Sequence, residues 1–165
     1  MPTSLRHGTL TFLLLIGPAV TARAQSTATP QGASGEHVAT AADSSGIREA
    51  AMDYIQGWYE GNAERMQRAL HPELAKRIIR SDPKTGRSMI QTMGALTLIN
   101  STKMGGGTST PAARRRTDYR LLDIYENAAV ARVDAGDWVD YLQLGKWYGK
   151  WVIVNVLWEL RPQQP

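Results

Sequence analysis

The chain has 165 residues, with 19 Lys and Arg against 15 Asp and Glu, a formal net charge of +4, and no cysteine. That length suits one domain of ordinary size, and the missing cysteine excludes a disulfide framework, a thiolate nucleophile and a cysteine metal site. Arg6 and Arg23 lie in an N-terminal leader, which leaves 17 basic against 15 acidic residues, net +2, and no electrostatic argument for nucleic acid.

The leader has a short basic head at Arg6 and His7. An apolar stretch follows over residues 9–20 (TLTFLLLIGPAV), then Ala22-Arg23-Ala24. This is the pattern of a secretory signal peptide, and the apolar stretch falls short of the roughly 20 residues that span a bilayer. Residues 1–24 are expected to be removed after Ala24. The remainder is then exported, periplasmic or secreted, with no attachment to the membrane after cleavage. Residues 25–45 are rich in Ser, Thr, Ala and Gly and read as a flexible linker. The domain is expected over residues 46–162.

Ile47, Ala51, Tyr54 and Trp58 recur at helical spacing, with Asp43, Ser44 or Ser45 as candidate caps and Gly61 as the stop. A second, shorter helix opens at Asn62, carries Met66, Ala69 and Leu70 on one face, and ends at His71-Pro72. Residues 74–80 could form a strand. Met89, Met93, Leu96 and Asn100 predict a third helix, closed by Gly105-Gly106-Gly107. That glycine run lacks the Lys-Ser/Thr of a phosphate loop and reads as a breaker. Arg114-Arg115-Arg116 reads as a solvated entrance to the strands that follow.

Four strands are expected, over residues 116–125, 128–134, 137–145 and 150–160. The turns between them, at Glu126-Asn127, Ala135-Gly136 and Tyr148-Gly149, are too short for crossover helices, so the sheet reads as antiparallel. Helices followed by a meander make an α+β layout.

The stretch from Asp137 to Trp158, the last two strands and the turn between them, holds four of the five tryptophans. With Tyr148-Gly149 as a two-residue turn, alternation gives the hairpin two faces. One face takes Trp151, Ile153, Asn155 and Leu157 from the last strand, beside Leu144, Leu142, Asp140 and Trp138. The other takes Val152, Val154, Val156 and Trp158, beside Gln143, Tyr141, Val139 and Asp137. Both faces are largely apolar, so both need covering. Helices cover one, and a second copy of the chain, sheet against sheet, would cover the other. Asp140 and Asn155 are the polar exceptions on the first face. Either they satisfy each other and nearby backbone, or they line a polar spot in a cavity. A slip of one residue would exchange the faces.

Two strings carry a family resemblance: YIQGWYEGNAERMQRALHPELAKR over residues 54–77, and DWVDYLQLGKWYGKWVIVNVLWELRP over residues 137–162. With them, residues 46–162 resemble the nuclear transport factor 2-like superfamily, and within it the branch called "putative lumazine-binding". A glycine turn followed by W-x-I (Gly149, Trp151, Ile153) is common to the superfamily. The resemblance implies N-terminal helices packed in a strongly curved antiparallel sheet, cone-shaped, with a pocket between them and frequent dimers through the sheet. It also implies that the W-x-I residues point inward. The superfamily includes ketosteroid isomerases, polyketide cyclases and many proteins that are not enzymes, so the fold does not fix the function.

Three functions follow as expectations. The first is a homodimeric binding domain for a small aromatic or apolar ligand, lined by Tyr54, Trp58, Trp138, Asp140 and Asn155. Trp138 would stack on the ligand, and Asp140 and Asn155 would orient its polar edges. Tyr54 and Trp58 serve equally as core. The second is an isomerase, cyclase or dehydratase working without cofactor, with Asp140 as base and Tyr54 as a donor to the oxyanion; no catalytic residue is carried over by position. The third is a structural dimerisation module with a filled core. No metal and no cofactor is implied. His71, the one histidine of the domain, has no serine or cysteine signature beside it.

Overall fold

The computed structural model describes residues 40–162. The leader, with its cleavage site, and most of the predicted linker lie outside the described residues. The first helix, α1, spans Ala41–Glu60 and starts earlier than the sequence predicts, within the stretch read as linker. Its cap is Thr40, whose hydroxyl accepts from the Asp43 backbone N–H at 3.1 Å. Asp43 is turned inward to other partners instead. Ala41 and Ala42 extend the helix at little conformational cost. Gly61, at φ 68°, ends it in the left-handed conformation. The second helix, α2 (Ala63–Ala69), is capped by the Asn62 side chain as expected, through a 3.0 Å bond from the Arg65 N–H.

The strand β1 (Leu70–Ser81) leaves α2 directly, and a turn at Asp82 returns the chain as β2 (Ser88–Gly94). The helix predicted from Met89 onward is therefore a strand for its first part and a helix, α3 (Ala95–Lys103), only afterwards. The interval from Met89 to Met93 is even, so it fits one face of a strand as well as one turn of a helix. Pairing with β1, Arg80 opposite Met89 and Lys76 opposite Met93, decides between them. Leu96, assigned to the buried stripe, is 71% exposed; Ala95, Leu98 and Thr102 are the buried positions.

The meander follows: β3 (Asp118–Tyr125), β4 (Ala128–Asp134), β5 (Trp138–Trp147) and β6 (Lys150–Leu160). Tyr148 and Gly149 turn between β5 and β6 with φ of 45° and 78°, the geometry of a tight hairpin turn. The six strands form one curved, unclosed sheet in the order β2-β1-β6-β5-β4-β3, with the helices packed on it, an α+β fold. All neighbours are antiparallel except β1 and β6, which run parallel; the pairing needs a long connection, and the chain between them supplies it.

One feature of β6 reassigns half of a face. Opposite Gln143 and Leu144 the last strand carries an extra residue, Val154, so Leu144 pairs with Ile153 while Gln143 pairs with Asn155. This is a β-bulge, and it shifts every later residue of β6 to the other side. Trp151 and Ile153 face the helices as the alternation predicts. Beyond the bulge Val156 and Trp158 turn inward, and Asn155 and Leu157 turn outward. Leu157 is accordingly 53% exposed and Val156 1%.

Ile47, Ile55 and Met66 from the helices meet Val133, Leu142 and Ile153 from the sheet in the core, all fully buried. Each such side chain contributes about 1.5–3 kcal/mol when taken from water. Among the described residues no helix is long and apolar enough to cross a membrane.

Candidate functional site

Between α1, α3 and the inner face of the sheet lies a cavity of about 160 Å³. Its walls are the indoles of Trp58, Trp138 and Trp158, and the aliphatic surface of Ile55, Met66, Met93 and Leu98. Tyr54 and Lys76 form its polar end. The tryptophans and Met93 are half-buried and make the rim, while Tyr54, Ile55, Met66 and Lys76 are buried and make the floor.

Tyr54, Trp58 and Trp138 thus line the cavity at positions read from the sequence. Asp140 lies at its floor, behind Lys76 and Tyr54. Asn155 does not belong to it. The bulge at Val154 puts Asn155 on the outer face, where its side-chain oxygen accepts from Arg77 at 3.4 Å, and not on the face of Asp140 where unbroken alternation placed it. Trp158 takes the place on the inner face instead, directly opposite Asp140.

The residue that sequence reasoning passed over is Lys76. Leu74, Lys76 and Ile78 alternate along β1 and are 4%, 8% and 2% exposed, so the lysine points inward between two core residues. That alternation was readable as a charged residue in a buried stripe, which calls for a partner. The partner is Asp140, fully buried on β5. Lys76 Nζ donates to Asp140 Oδ1 at 2.6 Å and to the Tyr54 hydroxyl oxygen at 2.6 Å. Tyr54 in turn donates to Asp140 Oδ2 at 3.2 Å, and Trp138 Nε1 donates to the same oxygen at 2.7 Å. Asp140 therefore accepts three hydrogen bonds, one from a cation, as a buried carboxylate requires.

Burial lowers the Lys76 ammonium from the ordinary lysine value, against the pull of the Asp140 carboxylate beside it. Burial also raises the Tyr54 hydroxyl well above its usual range, reinforced by the Asp140 charge. Tyr54 thus stays protonated and donating. Lys76 Nζ also sits 4.8 Å from the Trp158 ring centroid and 5.3 Å from that of Tyr54, a cation–π arrangement at the cavity end.

The triple glycine has a second use beyond ending α3. A Cβ on Gly107 would stand 2.4 Å from Cδ1 of Trp58, and one on Gly106 2.4 Å from its Cη2. The loop lies against the indole so closely that only glycine fits, and it fixes the ring that walls the cavity.

His71 takes no part in the site. Its ring meets Trp147 edge-on, with centroids 4.7 Å apart, and its Nδ1 accepts from the Glu73 N–H at 3.1 Å. Arg114 and Arg116 make ion pairs with Asp137 and Asp118 on the surface.

Residues 42–159 match the family described as "Putative lumazine-binding". Among solved structures, an NTF2-like protein of unknown function from Shewanella baltica is 19% identical, covers 74% of this chain and 96% of its own, and superposes with a TM-score of 0.56. A second NTF2-like protein of unknown function, from Methylobacillus flagellatus, is 25% identical over 74% of this chain and 95% of its own, with a TM-score of 0.55. An NTF2-like protein with a cystatin-like fold from Novosphingobium aromaticivorans is 13% identical over 74% and 84%, at 0.53. No match is found among curated proteins. The family match spans most of the chain and the structural likeness carries the same fold, so the chain belongs to the family described as "Putative lumazine-binding" within the nuclear transport factor 2-like superfamily.

Proposed function

We propose that the chain is an exported binding protein that takes a small, planar aromatic or largely apolar molecule into this cavity, and that it works as a homodimer joined through the sheet. The observation that carries the reading is a cavity of about 160 Å³ with three indole walls and a buried ion pair at its floor. A space of this order holds about one aromatic ring or two small fused ones. Indoles stack on such rings with offset geometry. The family description points to the same chemical class, a fused heterocycle.

Export rests on the leader pattern of residues 1–24. The dimer rests on the outer face of the sheet, where Ile79 is 54%, Tyr141 42% and Leu157 53% exposed, large apolar side chains that a second sheet would cover.

An isomerase, cyclase or dehydratase of this fold needs a carboxylate that faces the substrate with a free lone pair. Asp140 is 0% exposed and accepts from three donors. The geometry supports binding over proton abstraction by that residue. A purely structural module would fill the cavity rather than leave it open.

Native mass spectrometry of protein purified from its own compartment tests all three parts of the proposal. Two chains starting at Gln25 with one small molecule per chain are expected. Bare monomers would overturn the dimer. Bare protein that also fails to take up one- and two-ring aromatics would overturn the binding role, and intact residues 1–24 would overturn export.

A further inference from the structure

Resting on that binding role, we infer that the cavity selects planar rings that present a hydrogen-bond acceptor, an oxo or aza group, to Lys76, and rejects rings whose buried edge carries an N–H or O–H donor. The polar groups around the space are unequal in kind. An ammonium has three N–H donors. Lys76 gives one to Asp140 and one to Tyr54, and among the described residues no oxygen takes the third, which is left with the face of Trp158. A ligand acceptor placed there replaces a weak contact with a charge-assisted hydrogen bond.

The acceptors are already committed. The Tyr54 oxygen takes Lys76, and its proton goes to Asp140. Asp140 lies behind the lining with both oxygens in use. None of the lining side chains is a carboxylate or an amide. Tryptophan is a donor only, and the sulfurs of Met66 and Met93 are weak acceptors. A donor brought into this space loses its water and gains no good partner. The surroundings therefore favour acceptors twice, by what they offer and by what they lack.

Quinoline and indole make the test. Both are fused bicycles of similar apolarity; one presents a ring nitrogen acceptor, the other an N–H donor. Calorimetric titration of the wild-type protein at pH 8, where quinoline is neutral, should give quinoline the tighter binding by roughly tenfold or more, the usual worth of a hydrogen bond to a charged group. Naphthalene, with neither group, controls for shape. In the double variant Lys76→Met/Asp140→Leu, which removes the ion pair whole, the preference should collapse towards equality. Indole binding as tightly as quinoline, or a quinoline preference that survives in the double variant, would overturn the inference while leaving the binding role intact. Failure of all three rings to bind the wild type would overturn both. Should the double variant not fold, the wild-type comparison decides alone.

Discussion

Two carboxylates in this protein are gripped by the same three kinds of donor. Asp140 accepts from a lysine, Lys76, an indole, Trp138, and a hydroxyl, Tyr54. Asp43, near the start of α1, accepts from Lys146 at 2.7 Å, from the Trp151 indole at 3.1 Å and from the Thr40 hydroxyl at 2.7 Å. The difference lies in what surrounds them. The Lys146 side chain is 33% exposed and reaches the surface, whereas that of Lys76 is 9% exposed and faces an apolar cavity. On one side the Trp151 ring is wedged against α1, where a Cβ on Gly46 would stand 2.9 Å from it, and the hollow beside Asp43, about 430 Å³, is bordered by the charged side chains of Glu49, Asp53, Arg68 and Lys150. One cluster is a clamp that ties helix to hairpin. The other has the same parts at the end of an apolar space. A donor set with a hollow beside it does not by itself make a site for an apolar ring; the apolar lining does.

The largest expected break in the comparison is at Asp140. Asp140→Ala strands a buried ammonium, and chemical denaturation should show a loss of about 3–5 kcal/mol. Removing both charges in Lys76→Met/Asp140→Leu should recover most of that loss, because a well-packed apolar pair often equals a buried ion pair. Asp43→Asn should cost less than Asp140→Ala, since Lys146 falls back on water. Equal costs at the two sites would mean that burial does not distinguish them.

Next in size is the glycine wall. Gly107→Ala pushes Trp58 from its place, and overpacking of this kind costs about 1–3 kcal/mol. Weaker uptake of aromatic rings should accompany it, whereas Gly86→Ala, at a glycine with nothing within 4 Å of its Cβ position, should leave uptake unchanged.

The clamp also has a signature in pH. Hydrogen bonds from Lys146, Thr40 and Trp151 hold the Asp43 carboxyl far below the usual carboxylate range. A folded-state value below the unfolded one, about 3.9, means that the unfolded chain binds the proton first. The stabilisation is complete above that value and is lost as the pH falls below it. Denaturant titrations between about pH 5 and pH 2 should therefore show a shallower acid loss in Asp43→Asn than in the wild type.

The smallest effect is expected at Asn155. Its side chain sits on the outer face, so Asn155→Ala should change monomer stability by no more than about 0.5 kcal/mol and leave ring binding unaltered. A loss of ring binding there would mean that the outward turn after Val154 is wrong.

Asn155 also marks the boundary of what the sequence conveys. Alternation placed Trp138, Asp140, Leu142 and Leu144 of β5 on the inner face, and they are there, because β5 runs unbroken against β4. The same rule failed on β6 after Ile153, since one extra residue reverses a period of two and nothing in IVNV announces it. Helix α2 and the turn at Tyr148-Gly149 were legible because caps and turns are written in single residues. The strand β2 was not, because its apolar spacing of four is common to both periods and its pairing with β1 decides. Lys76 was legible in principle, as a charge between Leu74 and Ile78, yet its partner lies 64 positions away on β5. Local pattern showed that the lysine needed a partner but not where.

The indole walls have one more consequence. Three of the five tryptophans border the cavity, while Trp151 is locked in the clamp and Trp147 stands on the surface. The near-ultraviolet emission of the protein is thus divided between a group that senses the cavity and a group that does not. A ring entering beside Trp158 and Lys76 alters the field and the quenching felt by the first group alone. The chain carries its own optical gauge of occupancy, with an internal reference, and needs no attached label.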